Sequence, residues 1–183
     1  MTDDERYVPA VALREEVAQL YDQRQPDDVF AAIENAIRLA ELYRLIDKPI
    51  EAERILLRFL ARLSGQPENE ANPYRGKIQN VLGLLNFDEE NYVAAARNFI
   101  TATRLLASSE LDSNIAVIHE NVGNALVAQN RTAEALEYYQ SALNIFLKVE
   151  GEDSVAAAEL RQTMNGLSKA EAHDPDPATG PSN

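Results

Sequence analysis

The chain has 183 residues, no cysteine, and 30 acidic residues against 17 basic ones, giving a formal net charge of −13. Its length suits one compact domain or a short solenoid, and its apolar content of 45% is enough to bury a core. A chain without thiols excludes disulfides and cysteine-based metal or catalytic sites, and the acidity argues against nucleic-acid and membrane-surface partners. A basic partner is compatible with this charge, although solubility alone would also explain it.

Nothing in the sequence indicates export or membrane insertion. The first residues lack the basic and apolar stretches of a secretory signal, and no apolar run approaches the ~20 residues that span a bilayer. We therefore expect a cytoplasmic protein.

Apolar residues recur at helical spacing along most of the chain, so the sequence predicts an all-α fold. We expect an N-terminal acidic segment and capping helix over residues 1–28, and a disordered acidic, proline-rich tail over residues 171–183. The repeat domain with its C-terminal capping helix then covers residues 29–170. Pro73 is expected to open a helix after the longest loop, residues 64–72. The predicted helices cover about residues 8–21, 29–46, 49–63, 73–87, 92–107, 113–128, 132–149 and 155–169.

An internal repeat is the strongest pattern in the sequence. A glycine in one helix is followed, at steps of 12, 4 and 3 residues, by an alanine, an aromatic residue and a second alanine. The pattern occurs twice, and a weaker copy lies upstream, with offsets of 43 and 40 residues between copies. Small residues at these positions would let the two helices of a pair approach closely. The copies are Gly83, Ala95, Phe99, Ala102; Gly123, Ala135, Tyr139, Ala142; and, upstream, Ala40, Tyr43, Ala52, Leu56.

These residues resemble the tetratricopeptide repeat (TPR) family, in a longer-period form similar to the repeats of kinesin light chains. The resemblance implies a right-handed solenoid of antiparallel helix pairs, with about three TPR-like repeats and flanking helices. The chain departs from the family in lacking tryptophan, and Asn86 stands where a tyrosine is usual. One variant of the family binds acidic C-termini through a set of basic residues in the groove. Here Lys77 is isolated, so the resemblance does not extend to that variant.

The sequence carries no recognisable catalytic or cofactor-binding motif, so we expect a protein that is not an enzyme and needs no cofactor or metal. His119 has no second ligand at a metal-binding spacing and is expected in the core or at a groove edge. The many carboxylates fall mainly in turns, where water solvates them, whereas perturbed acid–base pairs require burial.

The resemblance places a binding groove along the first helix of each repeat. Asn121 and Asn124 are the main candidates, because an amide both donates to and accepts from a peptide backbone; the alternative is that they are merely solvated. Replacing both with alanine is expected to leave the fold intact. Phe87 is either an apolar contact for the partner or a ring packed inward. The candidate groove residues are Arg38, Glu41, Lys77, Asn80, Leu84, Phe87, Glu120, Asn121 and Asn124.

Two functions follow from this arrangement. The first is an adaptor or scaffold that binds a peptide or protein in the concave groove. The alternative is a structural module that docks or forms homo-oligomers through its terminal helices, which leaves the groove incidental.

Overall fold

The computed structural model describes residues 29–110 and 112–173, together with Pro9, Ala12, Leu13, Arg14 and Glu16, which are helical. Most of the predicted first helix and the predicted tail from residue 174 onward lie outside the described residues. Residues 171–173, predicted as the start of the tail, are helical. The structure falls into two compact units, Met1–Ser109 and Glu110–Asn183. In the described part of the chain every regular element is helical, which confirms the all-α prediction. The α-helices are α1 (Val29–Leu45), α2 (Pro49–Arg62), α3 (Glu68–Asp88), α4 (Tyr92–Leu105), α5 (Ser113–Val127), α6 (Thr132–Glu150) and α7 (Val155–His173).

Helices α1 and α2, α3 and α4, and α5 and α6 form three pairs, each closed by the same tight turn. In each turn one residue adopts a left-handed conformation, with φ near 58°, at Asp47, Glu90 and Asn130. The amide of the next residue then donates to a carbonyl five residues back, as Asn91 does to Asn86 at 2.8 Å. This bond satisfies a carbonyl at the end of the first helix. The weak upstream copy therefore uses the same turn as the two strong ones.

The glycines of the repeat are the points of closest contact within their pairs, as the spacing predicted. A Cβ atom built on Gly83 would lie 2.5 Å from the ring of Phe99, and one on Gly123 would lie 2.4 Å from the ring of Tyr139. Both rings are buried, and so are the alanines at the fourth position of the second helices, Ala52, Ala95 and Ala135. The aromatic ring thus occupies the space that a side chain at the glycine would need.

Helix α3 begins earlier than the sequence predicted, so the loop expected over residues 64–72 is wrong. Leu63–Gly65 is a short 3₁₀ turn, and α3 starts at Glu68 with Pro73 inside it. Pro73 removes one backbone hydrogen bond, but Ala71 is fully buried in the core of the first unit and holds the early turn in place. The acidic residues Glu68 and Glu70 also favour a helix N-terminus at this point.

Helices α1 and α3 lie side by side in the first unit and contact each other at equivalent repeat positions. The rings of Phe30 and Tyr74 stack with centroids 4.7 Å apart. Lys77 pairs with Glu34, and Arg44 pairs with Asp88 at 2.7 Å. Each of these contacts joins residues 43 or 44 positions apart, which is the repeat offset. The two helix pairs of this unit therefore stack in parallel, with their first helices together.

Candidate functional site

The candidate residues of the first unit lie on the joined faces of α1 and α3. Lys77 is engaged by Glu34, and its ammonium group also lies 5.6 Å from the centre of the Tyr74 ring. Arg44 is engaged by Asp88 on the other helix. These ion pairs account for much of the charge on this face, so it offers little net charge to a ligand.

Four candidates lie between the two ion pairs along the same face. Arg38 and Glu41 are exposed on α1, while Asn80 and Leu84 are half-buried on α3. Partial desolvation of its carboxyl group raises the pKa of Glu41, with Arg44 and Arg38 acting against that rise. The Oδ1 atom of Asn80 is buried and has no hydrogen-bond partner among the described residues. This part of the face thus combines exposed charges with an unsatisfied amide.

Phe87 is half-buried and packs toward the turn of its own helix pair. Its ring meets that of Tyr92 edge-on, with centroids 5.2 Å apart. Tyr92 begins the second helix of the pair, so Phe87 closes the hairpin end. Of the two roles that the sequence left open, this geometry favours the packed ring.

In the second unit the candidates Glu120, Asn121 and Asn124 share α5, and Glu120 lies in an acidic environment. It is half-buried, and burial followed by the nearby charge of Glu159 on α7 raises its pKa. It forms no ion pair within the described residues. Among the described residues, no cation compensates this half-buried carboxylate.

The two asparagines of α5 differ in their contacts. The Oδ1 atom of Asn124 accepts a hydrogen bond of 2.7 Å from the hydroxyl of Tyr139 on α6. Asn121 is half-buried and has no side-chain hydrogen bond to any residue that the structure describes. Alanine at position 124 would therefore remove a hydrogen bond that supports the core, whereas alanine at position 121 would remove none, and the effect of both changes on the fold stays a prediction.

Tyr139 offers a test of this arrangement by titration. Burial, followed by the charge of Glu120, raises the pKa of Tyr139 from its ordinary value of 10 to about 12. Because the folded state holds this proton more tightly, Tyr139 stabilises the fold below pH 10, and that stability is lost as the pH rises toward 12. We expect the free energy of unfolding of the wild type to fall relative to that of Tyr139→Phe across this window. Urea unfolding of both proteins at several pH values measures the difference, and a constant difference would contradict it.

His119 lies beside this cluster on α5. It is half-buried, its Nδ1 atom has no partner among the described residues, and burial lowers its pKa below the usual value. Its ring lies 6.1 Å from that of Tyr138. Burial thus disfavours the charged form of this half-buried imidazole.

Within the described ranges, no group of His, Asp or Glu residues is arranged to hold a metal ion. No helix in that part of the chain is long and apolar enough to cross a membrane.

Comparison with known proteins supports the repeat assignment. Residues 74–148 match the tetratricopeptide repeat family model. Among solved structures, the chain is similar to BtubC (BKLC) from P. vanneervenii, a kinesin light chain-like TPR protein. The TM-score is 0.76 at 22% identity, over 93% of this chain and 68% of that one, a likeness that shows the fold. A search of curated proteins found no match. The resemblance to tetratricopeptide repeats is thus confirmed; such repeats generally mediate protein–protein interaction and are typically non-enzymatic.

Proposed function

We propose that this chain is a non-enzymatic adaptor whose repeats bind partner peptides along their first helices. In the second unit, Glu120 would receive a basic side chain of a bound peptide. The proposal rests on one observation above all: Glu120 is half-buried, lies near the like charge of Glu159, and forms no ion pair within the described residues.

A half-buried carboxylate is costly to ionise unless a cation compensates it. Its raised pKa expresses that cost. An arginine or lysine brought by a peptide would lower the pKa again, and the free energy recovered in this way would contribute to binding. The chemistry of the site thus favours a basic residue in the peptide.

Asn121 supplies the second part of the proposed site. It follows Glu120 in α5 and has an amide group that no described residue satisfies. An amide can bond both the N–H and the carbonyl of an extended peptide, which holds the backbone without demanding a particular sequence. We therefore assign backbone binding to Asn121 and charge recognition to Glu120.

The α1–α3 face contributes differently to peptide binding. Its outer charges are paired across the two helices, and Asn80 lies between the pairs with an unsatisfied buried oxygen. Rotation of that amide would offer a donor or an acceptor to a peptide backbone. We propose that, within the first unit, this face binds an uncharged peptide segment, with Leu84 in contact with an apolar side chain.

The test uses peptides selected from a displayed library of random sequences on the immobilised wild-type protein. We expect the selected peptides to share a basic residue. Glu120→Gln and Asn121→Ala should each weaken their binding by about 1–3 kcal/mol in fluorescence anisotropy, because each leaves a partner group unpaired. Binding should also weaken as falling pH protonates Glu120, and Glu120→Gln should lose that dependence.

Glu137→Gln is the matched control, since it makes the same change of charge at an exposed position of α6. Glu120→Gln removes a like-charge repulsion with Glu159, so a loss of binding could not be attributed to unfolding. Selected peptides that lack basic residues, or that bind Glu120→Gln as tightly as the wild type, would refute the proposal.

The alternative function is docking through the terminal helices. Its support is Val155, which begins α7 and is 70% exposed, whereas Ala157 and Leu160 on the same helix are buried. Sedimentation across a concentration series would detect self-association, and its loss in Val155→Ser would favour this alternative.

A further inference from the structure

The second helices of the first unit expose apolar side chains at equivalent positions. Ile50 and Leu57 on α2 are 75% and 48% exposed, and Val93 and Ile100 on α4 are 70% and 37% exposed. These four are half of the eight large apolar side chains found exposed among the described residues. An exposed arginine lies between the two apolar residues on each helix. We call the two sets of three residues the arginine stripes; they are Ile50, Arg54 and Leu57 on α2, and Val93, Arg97 and Ile100 on α4.

The stripes follow the repeat offset of 43 residues at all three positions. Residues 50, 54 and 57 lie at steps of four and three, which puts them along one side of a helix. Because the two helix pairs of this unit stack in parallel through α1 and α3, equivalent residues of α2 and α4 face the same way. The stripes therefore lie on equivalent sides of α2 and α4, on helices other than those of the proposed peptide site.

The fold does not require the stripes. At the corresponding positions of α6, in the next repeat, stand Ala133, Glu137 and Gln140, which are also exposed. A helix of this type thus forms equally well with small and polar residues there. The apolar area that these side chains leave exposed gives no stability to the helix pair itself, so we attribute it to a partner.

The two helices that carry the stripes have more arginines than acidic residues, although Glu53 and Glu89 lie beside Ile50. Helix α2 has three arginines and two glutamates, and α4 has two arginines and no acidic residue, whereas the chain carries −13. Arg54, Arg97 and the exposed Arg104 form no ion pair with the described residues. Their charges remain available to acidic groups of a partner.

Neither the sequence of residues 174–183 nor the described residues near the N-terminus point to an occupant within this chain. Residues 174–183 are acidic but contain no large apolar side chain. Near the N-terminus, Leu13 packs on the core of the first unit and Glu16 bonds Asn35 of α1 at 3.2 Å, so these positions lie against another helix.

We infer that the arginine stripes bind an amphipathic helix of another protein, whose apolar face is flanked by aspartate and glutamate. Its apolar residues would cover Ile50, Leu57, Val93 and Ile100, since an amphipathic helix presents neighbouring side chains at this spacing. Its acidic residues would pair with the arginines at the margin of the contact, where complementary charges govern specificity and the rate of association.

The experiment uses a displayed library of amphipathic helical peptides with a fixed apolar face and flanking positions that vary among Glu, Lys and Gln. Selection on the wild-type protein should enrich glutamate at the flanks. In fluorescence anisotropy, R54Q/R97Q should weaken the enriched peptide roughly tenfold or more, and Ile50→Ser/Val93→Ser should do the same. Circular dichroism of each variant checks that the fold is kept.

Gln140→Glu/Asn144→Glu is the matched control, because it lowers the net charge by the same amount on the exposed side of α6 and should leave binding unchanged. Three outcomes would overturn the inference. The selection could enrich lysine, or no particular residue, at the flanking positions; the enriched peptide could bind R54Q/R97Q as tightly as the wild type; or the free protein could form a dimer that Ile50→Ser/Val93→Ser abolishes. The last would mean that a second copy covers the stripes.

Discussion

Gly123→Leu is expected to destabilise the protein by roughly 1–3 kcal/mol or more, and Gly83→Leu by a similar amount. The first carbon of a side chain at position 123 would already lie 2.4 Å from the ring of Tyr139, and at position 83 it would lie 2.5 Å from that of Phe99. Both rings are rigid and almost fully buried, so neither can move without opening the helix pair. Even alanine should be destabilising at these positions. Urea unfolding followed by circular dichroism gives the free energies.

Gly166→Ala provides the control for the glycine variants. Gly166 lies in α7, is exposed, and has no atom within 4 Å of the position of an added Cβ. Alanine there should stabilise the protein by about 0.5–1 kcal/mol, because it lowers the entropy cost of forming the helix. If Gly83→Leu and Gly123→Leu unfold at the wild-type urea concentration, the close contact between paired helices does not exist.

Asn124→Ala should be the next most damaging change, at about 1–3 kcal/mol, because it leaves the Tyr139 hydroxyl unpaired in the core. Tyr139 is 2% exposed, and its hydroxyl donates to Asn124 over 2.7 Å. Tyr139→Phe should cost less, since the half-buried Asn124 can reach water. Asn121→Ala, one turn earlier on the same helix, loses no such bond and should change stability little.

A double-mutant cycle isolates the Asn124–Tyr139 bond from the other effects of each change. The double variant Asn124→Ala/Tyr139→Phe removes both partners and should cost less than the sum of the two single changes. Strict additivity would show that the two side chains do not interact, and Asn124 would then be free for a ligand as the sequence suggested.

The sequence predicted the helix pairs because the residues that bring them together are local and restrictive. Only a small residue fits at Gly83 and Gly123, and the ring that needs the space always follows at the same step. The start of α3 was mispredicted because proline has a strong preference for the first turn of a helix. There the burial of Ala71 outweighs the cost of Pro73 within the helix, and such tertiary packing is not visible in a local pattern.

The candidate site was less predictable, because it depends on where individual side chains point. Position within the repeat placed Asn121 and Asn124 on one helix, but only the structure distinguishes Asn124, bonded to Tyr139, from its unbonded neighbour. The pairing of Glu34 with Lys77 and the arginine stripes both follow the 43-residue offset. Aligning every position of the repeat, and not only its small and aromatic residues, would have revealed both.

The contact between glycine and ring also bears on how the chain folds. Each ring follows its glycine by only sixteen residues, from Gly83 to Phe99 and from Gly123 to Tyr139. Closing so short a segment costs little chain entropy, and folding rates rise as contacts become more local. We therefore expect each helix pair to assemble early from its own segment. In the first unit, the docking of one pair on the other, where α1 meets α3 through the ion pairs of Lys77 and Arg44, should follow as the slower step.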